Sequence, residues 1–188
     1  MEGLHAADLE FAVEQARRAG ALLTDSYGRV ERIDYKSKRD VVTDVDYRSE
    51  KMILAAIRER FPEDAILAEE SGEHAGVVRD DGSHNGRTWV IDPLDGTTNY
   101  AHGYPCFCVS IAVEHAGILE LGVIYDPMRN EMFAAERGQG ATLNERRIRV
   151  SAVDDLNKAM LCTGFPYDVR TRPDFARDFA TFTLHAQA

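Results

Sequence analysis

The stretch Arg87–Asn99, RTWVIDPLDGTTN, decides how the rest of the chain is read. It begins as an apolar strand and reaches two carboxylates three residues apart, Asp92 and Asp95. Gly96, Thr97 and Thr98 then open a bend into a helix start, where successive backbone N–H groups form a nest the size of an anion. Such a stretch can hold a cation through its carboxylates and a phosphate through its amides, provided that neighbouring segments supply partners.

Upstream, Ala65–Ala68 reads as a short apolar strand that runs directly into Glu69 and Glu70. Adjacent carboxylates leaving a buried strand repel each other unless a cation lies nearby, although such a pair also suits a solvated loop entry. Before it, Asp40-Val41-Val42-Thr43 leads into a helix with Ile53, Ala56, Ile57 and Phe61 as its buried stripe, ended by Pro62. Thr43 and Asp46 are spaced as a capping box, so Asp46 is open to a capping role or a role in a site. Val30 to Lys38 alternates weakly as a strand and carries Lys36, which by itself reads as a solvated charge. The first helix is expected from Asp8, as N-cap, to Leu23, with a stop at Tyr27-Gly28. Between Glu73 and Gly86 the sequence is polar and without periodicity, a mobile loop whose His74 and His84 lack ligand spacing.

Downstream, strands are expected at Phe107–Glu114, Ile118–Tyr125 and Glu131–Glu136, and at Gly140–Val150 with an interruption near Asn144-Glu145. Their connections, at His115-Ala116-Gly117 and Asp126 to Asn130, are short, so neighbours pair antiparallel in a meander backed by the two helices. Past Ser151, Ala159–Cys162 reads as a buried strand, Gly164-Phe165-Pro166 as a turn, and Pro173–Ala188 as a helix with Phe175, Phe179 and Phe182 on one side. The expected domains are residues 1–152 and 153–188, the second being the start of a lobe that continues beyond this sequence.

Lys and Arg number 22 against 32 Asp and Glu, a formal charge of −10, which disfavours broad binding to nucleic acid or to an anionic membrane. No secretory leader and no bilayer-length apolar run is recognisable, so a cytoplasmic enzyme is expected. The 3 cysteines suit a reducing compartment. Cys106-Phe107-Cys108 is read as part of a half-buried strand, with the thiols as small core residues and not as a metal site.

Carboxylates at Glu69, Glu70, Asp92 and Asp95 all follow short apolar strands. As hard oxygen ligands they suit Mg²⁺ or Mn²⁺ better than zinc. Beside an amide-lined anion seat they fit metal-assisted phosphate ester hydrolysis, in which the cation replaces the missing basic residues. The motifs WVIDPLDGTTNY (Trp89–Tyr100), AEESG (Ala68–Gly72) and DVVTDVD (Asp40–Asp46), in this order, resemble the inositol monophosphatase family of lithium-sensitive, Mg²⁺-dependent phosphatases. YDPMRNEMF, RGQGA and CTGFPYD extend the resemblance over nearly the whole chain.

That resemblance implies an α+β layered sandwich, with paired N-terminal helices on an antiparallel sheet and the beginning of a second α/β lobe. It implies two or three Mg²⁺ ions, Mn²⁺ being a possible substitute, held by Glu69, Asp92, the Leu94 carbonyl and Asp95. Glu70 and Thr97 correspond to the pair that positions and activates the attacking water, with Asp46 bonded to Thr97. Asp95 and the Gly96–Thr98 corner would contact substrate, and Lys36 aligns with a lysine near the metal site. A small phosphomonoester such as inositol 1-phosphate is the implied substrate, and a homodimer the implied assembly of the full-length protein. The family's WDxAAG-like motif does not occur here, so weak or absent turnover is expected of this stretch alone. Fructose-1,6-bisphosphatases and 3′-phosphoadenosine phosphatases share the metal site and are the rival activities; a non-catalytic interaction module and a structural ion site are the rival roles.

Overall fold

The computed structural model describes residues 6–36, 41–77, 85–164 and 173–187. Asp40, Lys38, His84, Phe165 and Pro166, which carried sequence expectations, lie outside them. In chain order the elements are α1 (Ala6–Ser26), β1 (Ile33–Tyr35), β2 (Val41–Thr43), α2 (Asp44–Arg60), β3 (Ala65–Ala68), β4 (Gly72–His74), β5 (Arg87–Asp95), α3 (Thr97–Ala101), β6 (Cys108–His115), β7 (Ile118–Asp126), β8 (Glu131–Glu136), β9 (Gly140–Leu143), β10 (Arg146–Ile148), a 3₁₀ turn (Leu156–Lys158) and α4 (Pro173–Thr183). β1 and β2 pair as a small sheet, and the other strands form an eight-stranded sheet ordered β10-β9-β8-β7-β6-β5-β3-β4. From β5 to β10 the strands follow one another antiparallel, whereas β3 lies parallel to β5. The fold is α+β, with helices packed on a mostly antiparallel sheet.

Alternation along the strands shows which face is covered. Ile66 and Ala68, Trp89 and Ile91, Val109, Ile111 and Val113, and Leu121 and Val123 are buried with the apolar stripes of α1 and α2. α1 lies over β6, β7 and β8, and α2 over β5. Close approach of α1 to the sheet depends on Gly20, where a Cβ would stand 2.5 Å from the Tyr125 ring. Beside β5, Phe11 packs edge-on against Phe61 and Trp89, whose rings are tilted to each other, and the Trp89 indole N–H donates to the buried Asp64 carboxylate at 2.8 Å.

The chain divides into two compact units, one of Met1–Asp34 with Val41–Ile148 and the other of Tyr35–Asp40 with Arg149–Ala188. The eight strands of the main sheet and α1, α2 and α3 belong to the first, and α4 to the second. No helix among the described residues is long and apolar enough to cross a membrane.

Several elements depart from the sequence expectations. Asp8 lies in the first turn of α1 instead of capping it, and its carboxylate pairs with Arg87 at 2.8 Å. Glu73 and His74, expected in a loop, form the edge strand β4, which folds back on β3. The buried residues around β6 are Phe107 and Val109, while Cys106 is exposed and Cys108 half-buried, so the thiols occupy the opposite phase of the alternation. Ala159–Cys162 is no strand: it is extended coil with Met160 83% exposed, and Leu161 and Cys162 line an open groove with Phe175, Phe179 and Phe182. α4 ends at Thr183, and the chain turns so that Gln187 N–H donates to the Ala159 carbonyl at 3.1 Å.

Candidate active site

Two features of strand geometry bring the carboxylates together. In a regular strand, residues three apart point to opposite faces. Asp92 pairs with Ser110 and Asp95 with Cys108, so three steps on β5 match two on β6 and a bulge absorbs the extra residue. Ser110 and Cys108 share a face of β6, and the bulge therefore carries Asp92 and Asp95 to that same face, away from the helices. Pro93 is tolerated there because the bulge interrupts the ladder, and the Leu94 N–H turns back to Asp92 Oδ1 at 3.1 Å. The second feature is the parallel β3–β5 register: Ala68 lies beside Ile91, and Glu69 N–H donates to the Ile91 carbonyl at 3.1 Å. Glu69 thus arrives beside Asp92.

Burial and the neighbouring carboxylates act on Asp92 in the same direction. Desolvation first, then the charge of Glu69, a hydrogen bond with Glu69 and the charge of Asp95 push the Asp92 carboxyl up to about 8. Asp92 thus holds its proton to higher pH than an ordinary carboxyl group does. Asp95 is exposed and accepts a weak bond from the Cys108 thiol at 3.7 Å, while burial and the fields of Asp95 and Asp92 push that thiol up to about 12. Among the described residues no three acidic, His or Cys side chains stand gathered as a ready-made metal site. The donor set nonetheless fits a hard divalent cation. Carboxylates forced together until one retains a proton gain most from a cation that displaces it.

Gly96 forms the corner between β5 and α3, in the left-handed region at φ 96°. There a Cβ would meet the Cys106 carbonyl oxygen at 2.9 Å. The corner is braced from α2. Thr97 Oγ1 lies 2.9 Å from both Asp46 Oδ1 and the Leu94 carbonyl, and Asp46 Oδ2 accepts from the Thr43 N–H at 2.9 Å and from its hydroxyl at 2.5 Å. Asp46 is fully buried, and desolvation raises its carboxyl above the ordinary value against the lowering effect of these bonds. Asp46 completes the capping box of α2 and also accepts from the Thr97 hydroxyl.

The sequence matches the model of the inositol monophosphatase family over residues 6–187. The chain belongs to the inositol monophosphatase family. Nus factor SuhB of Escherichia coli (strain K12) is 46% identical over 164 residues, which is 86% of this chain and 59% of that protein. The chain therefore spans about three fifths of the length of the curated relatives it matches. Among solved structures, the extragenic suppressor protein suhB of Bartonella henselae superposes with a TM-score of 0.86 at 36% identity, covering 96% of this chain and 67% of that one. Inositol monophosphatase from Anabaena (Nostoc) sp. PCC 7120 superposes with a TM-score of 0.80 at 43% identity, covering 97% and 65%.

Inositol monophosphatases are generally Mg²⁺-dependent, in keeping with the acidic donor set of this chain. Glu69, Asp92, Leu94, Asp95, Gly96, Thr97 and Asp46 all lie within the first unit, around the C-terminal ends of β3 and β5. Glu70 is half-buried in the turn after β3, and Thr98 follows in α3 with its hydroxyl buried and unbonded among the described residues. Lys36, exposed after β1, belongs to the second unit. Ser49 and Glu50 were missed by the sequence reading. Ser49 Oγ donates to the Pro93 carbonyl at 3.1 Å, and Glu50 Oε2 accepts from the Glu70 N–H at 2.8 Å. Their signal was present, as polar residues on the apolar stripe that Ile53 and Ile57 continue.

Proposed function

We propose that this chain carries the metal-holding and phosphate-seating part of a Mg²⁺-dependent phosphomonoesterase acting on inositol 1-phosphate or a similar small polyol phosphate. The observation that carries the reading is the pairing of Glu69 with Asp92 beside a glycine corner whose Thr97 is bonded to Asp46. In this reading Glu69, Asp92, Asp95 and the Leu94 carbonyl hold the cation. Asp95 also faces the substrate, and the Gly96, Thr97 and Thr98 amides receive phosphate oxygens. When bound, Mg²⁺ supplies a counter-charge to phosphate and the acidity that makes water a nucleophile at neutral pH. Thr97 Oγ1 has one proton for two acceptors at equal distance. It donates to Asp46 or to the Leu94 carbonyl, and its lone pairs remain to orient the attacking water. Glu70 takes that water's proton, as a carboxylate beside a reacting centre does. In this reading the chain, extended to the length of its relatives, forms a homodimer.

The test is phosphate release from inositol 1-phosphate during Mg²⁺ titration, with lithium as inhibitor. It uses this chain extended by the segment that its relatives possess beyond it. Release that D92N abolishes is expected. Preference for fructose 1,6-bisphosphate or a 3′-nucleotide would overturn the substrate, and release unaffected by D92N would overturn the site.

A second reading is favoured by the name Nus factor SuhB borne by several relatives: a role in association with a partner, independent of turnover. Cellular function that survives D92N would favour it over catalysis.

A further inference from the structure

Three polar side chains occupy the first turns of α2 where an apolar stripe would be expected. Asp46, Ser49 and Glu50 are 0%, 0% and 3% exposed, and Ile53 and Ile57 continue the same stripe. Their spacing of three and four residues places them on one helix face. Each reaches a different part of the site: Asp46 the Thr97 hydroxyl, Ser49 the Pro93 carbonyl in the bulge, and Glu50 the Glu70 backbone N–H. The last contact joins α2 to the Glu69-Glu70 turn.

The turn needs such a partner. Glu69 N–H completes the parallel ladder on the Ile91 carbonyl, and one residue later β3 has ended and the chain reverses into β4. The Glu70 N–H therefore points to no strand, and an unpaired N–H beside a buried helix face is costly. The Glu50 carboxylate, 2.8 Å away, accepts it. A buried anion beside an acidic site is an unfavourable way merely to satisfy an amide, since a neutral acceptor would do so without adding repulsion. What its reach secures is the backbone conformation at the peptide link between Glu69 and Glu70.

We propose that Glu50 is a positioning residue. By anchoring the Glu70 N–H it sets the direction in which Glu69 and Glu70 leave β3, and cation affinity at the Glu69–Asp92 pair depends on the reach of its side chain and not on its charge. This rests on the metal-holding role given to Glu69 and Asp92 above.

Mn²⁺ binding to the 188-residue chain, read by the electron paramagnetic resonance of free Mn²⁺, tests it with two variants. Glu50→Gln keeps the acceptor and its reach but removes the charge; Glu50→Asp keeps the charge and shortens the reach. Glu50→Gln is expected to bind within about threefold of wild type and Glu50→Asp about tenfold or more weakly, the scale of lost outer-shell contacts. The Glu70 amide resonance is expected to move upfield in Glu50→Asp with faster hydrogen exchange, and to keep its slow exchange in Glu50→Gln. Equal binding by wild type and Glu50→Asp would overturn the proposal, as would Glu50→Gln losing as much as Glu50→Asp. If wild type binds Mn²⁺ no better than Asp92→Asn, the metal-holding reading fails instead. The amide resonance would then still report whether Glu50 anchors the turn.

Discussion

Asp92 stands between two opposing requirements, stability of the metal-free fold and affinity for a cation. Its folded value of about 8 lies above the ordinary 3.8, so the folded chain binds an extra proton between those limits. Stability associated with this group is therefore present at acid pH and is lost as pH rises through the window from about 4 to about 8. Cation binding has the opposite sign, because the cation must displace that proton: Mg²⁺ affinity should rise with pH and level off above about 8, which calorimetry at several pH values will show. D92N removes both effects. The metal-free variant is expected to melt roughly 2–4 °C higher at pH 8 while its Mg²⁺ binding is lost; a lower melting temperature would mean that Asp92 is not strained by its neighbours. Gly96 is constrained by shape where Asp92 is constrained by charge. G96A would add a side chain at positive φ against the Cys106 carbonyl. A loss of about 1–3 kcal/mol in urea denaturation is expected from that strain, and an unchanged midpoint would contradict the tight corner.

At the scale of elements, α2 is both a core helix and the brace of the site, and mutations on it separate the two roles. D46A removes the reciprocal half of the capping box and the bond to Thr97, so a loss of about 2–3 kcal/mol is expected from the lost cap together with the buried Thr43 N–H and hydroxyl left without their acceptor. T97V leaves the capping box intact, removes the hydroxyl shared between Asp46 and the Leu94 carbonyl, and should cost less; denaturation of both variants will show whether D46A exceeds T97V. The capping box could be read from Thr43 and Asp46 because it depends on local spacing alone. The bond from Asp46 to Thr97 could not, since it joins residues 51 apart and entered only through resemblance to a family. Ser49 and Glu50 were passed over because polar residues in a helix usually face solvent, although they share the stripe of Ile53 and Ile57 that packs against β5. Two short runs were misread because periodicity has no power over so few residues. The alternation at Cys106-Phe107-Cys108 fits either face, and it was Phe107 that went inside. Ala159–Cys162 has a strand's composition but no neighbouring strand to pair with among the described residues.

At the scale of the molecule, the meander from β5 to β10 was legible because short turns leave little choice of partner. The parallel placement of β3 on β5 was not, since a long polar segment separates them. Yet that placement carries Glu69 to Asp92. The division into two units also bears on behaviour in solution. The first unit encloses β5, β6 and β7 under α1 and α2, with Trp89, Ile111 and Val109 almost fully buried. In the second, Val150, Met160 and Leu184 are 96%, 83% and 81% exposed, and Phe179 and Phe182 are each about half exposed. Local stability follows buried apolar surface, so the two units should not open with the same free energy. Hydrogen exchange of the 188-residue chain, read by mass spectrometry, is expected to label Pro173–Thr183 within seconds to minutes. Peptides from Arg87–Asp95 and Cys108–His115 should stay protected near the limit set by global unfolding. Joining the segment that the longer relatives possess should slow exchange in Pro173–Thr183 if it covers the phenylalanine face, and should leave the protection of β5 and β6 unchanged. Equal protection of α4 and β5 in the 188-residue chain would show instead that the second unit is cooperative with the first, and that its exposed apolar residues are stabilised by contacts other than burial.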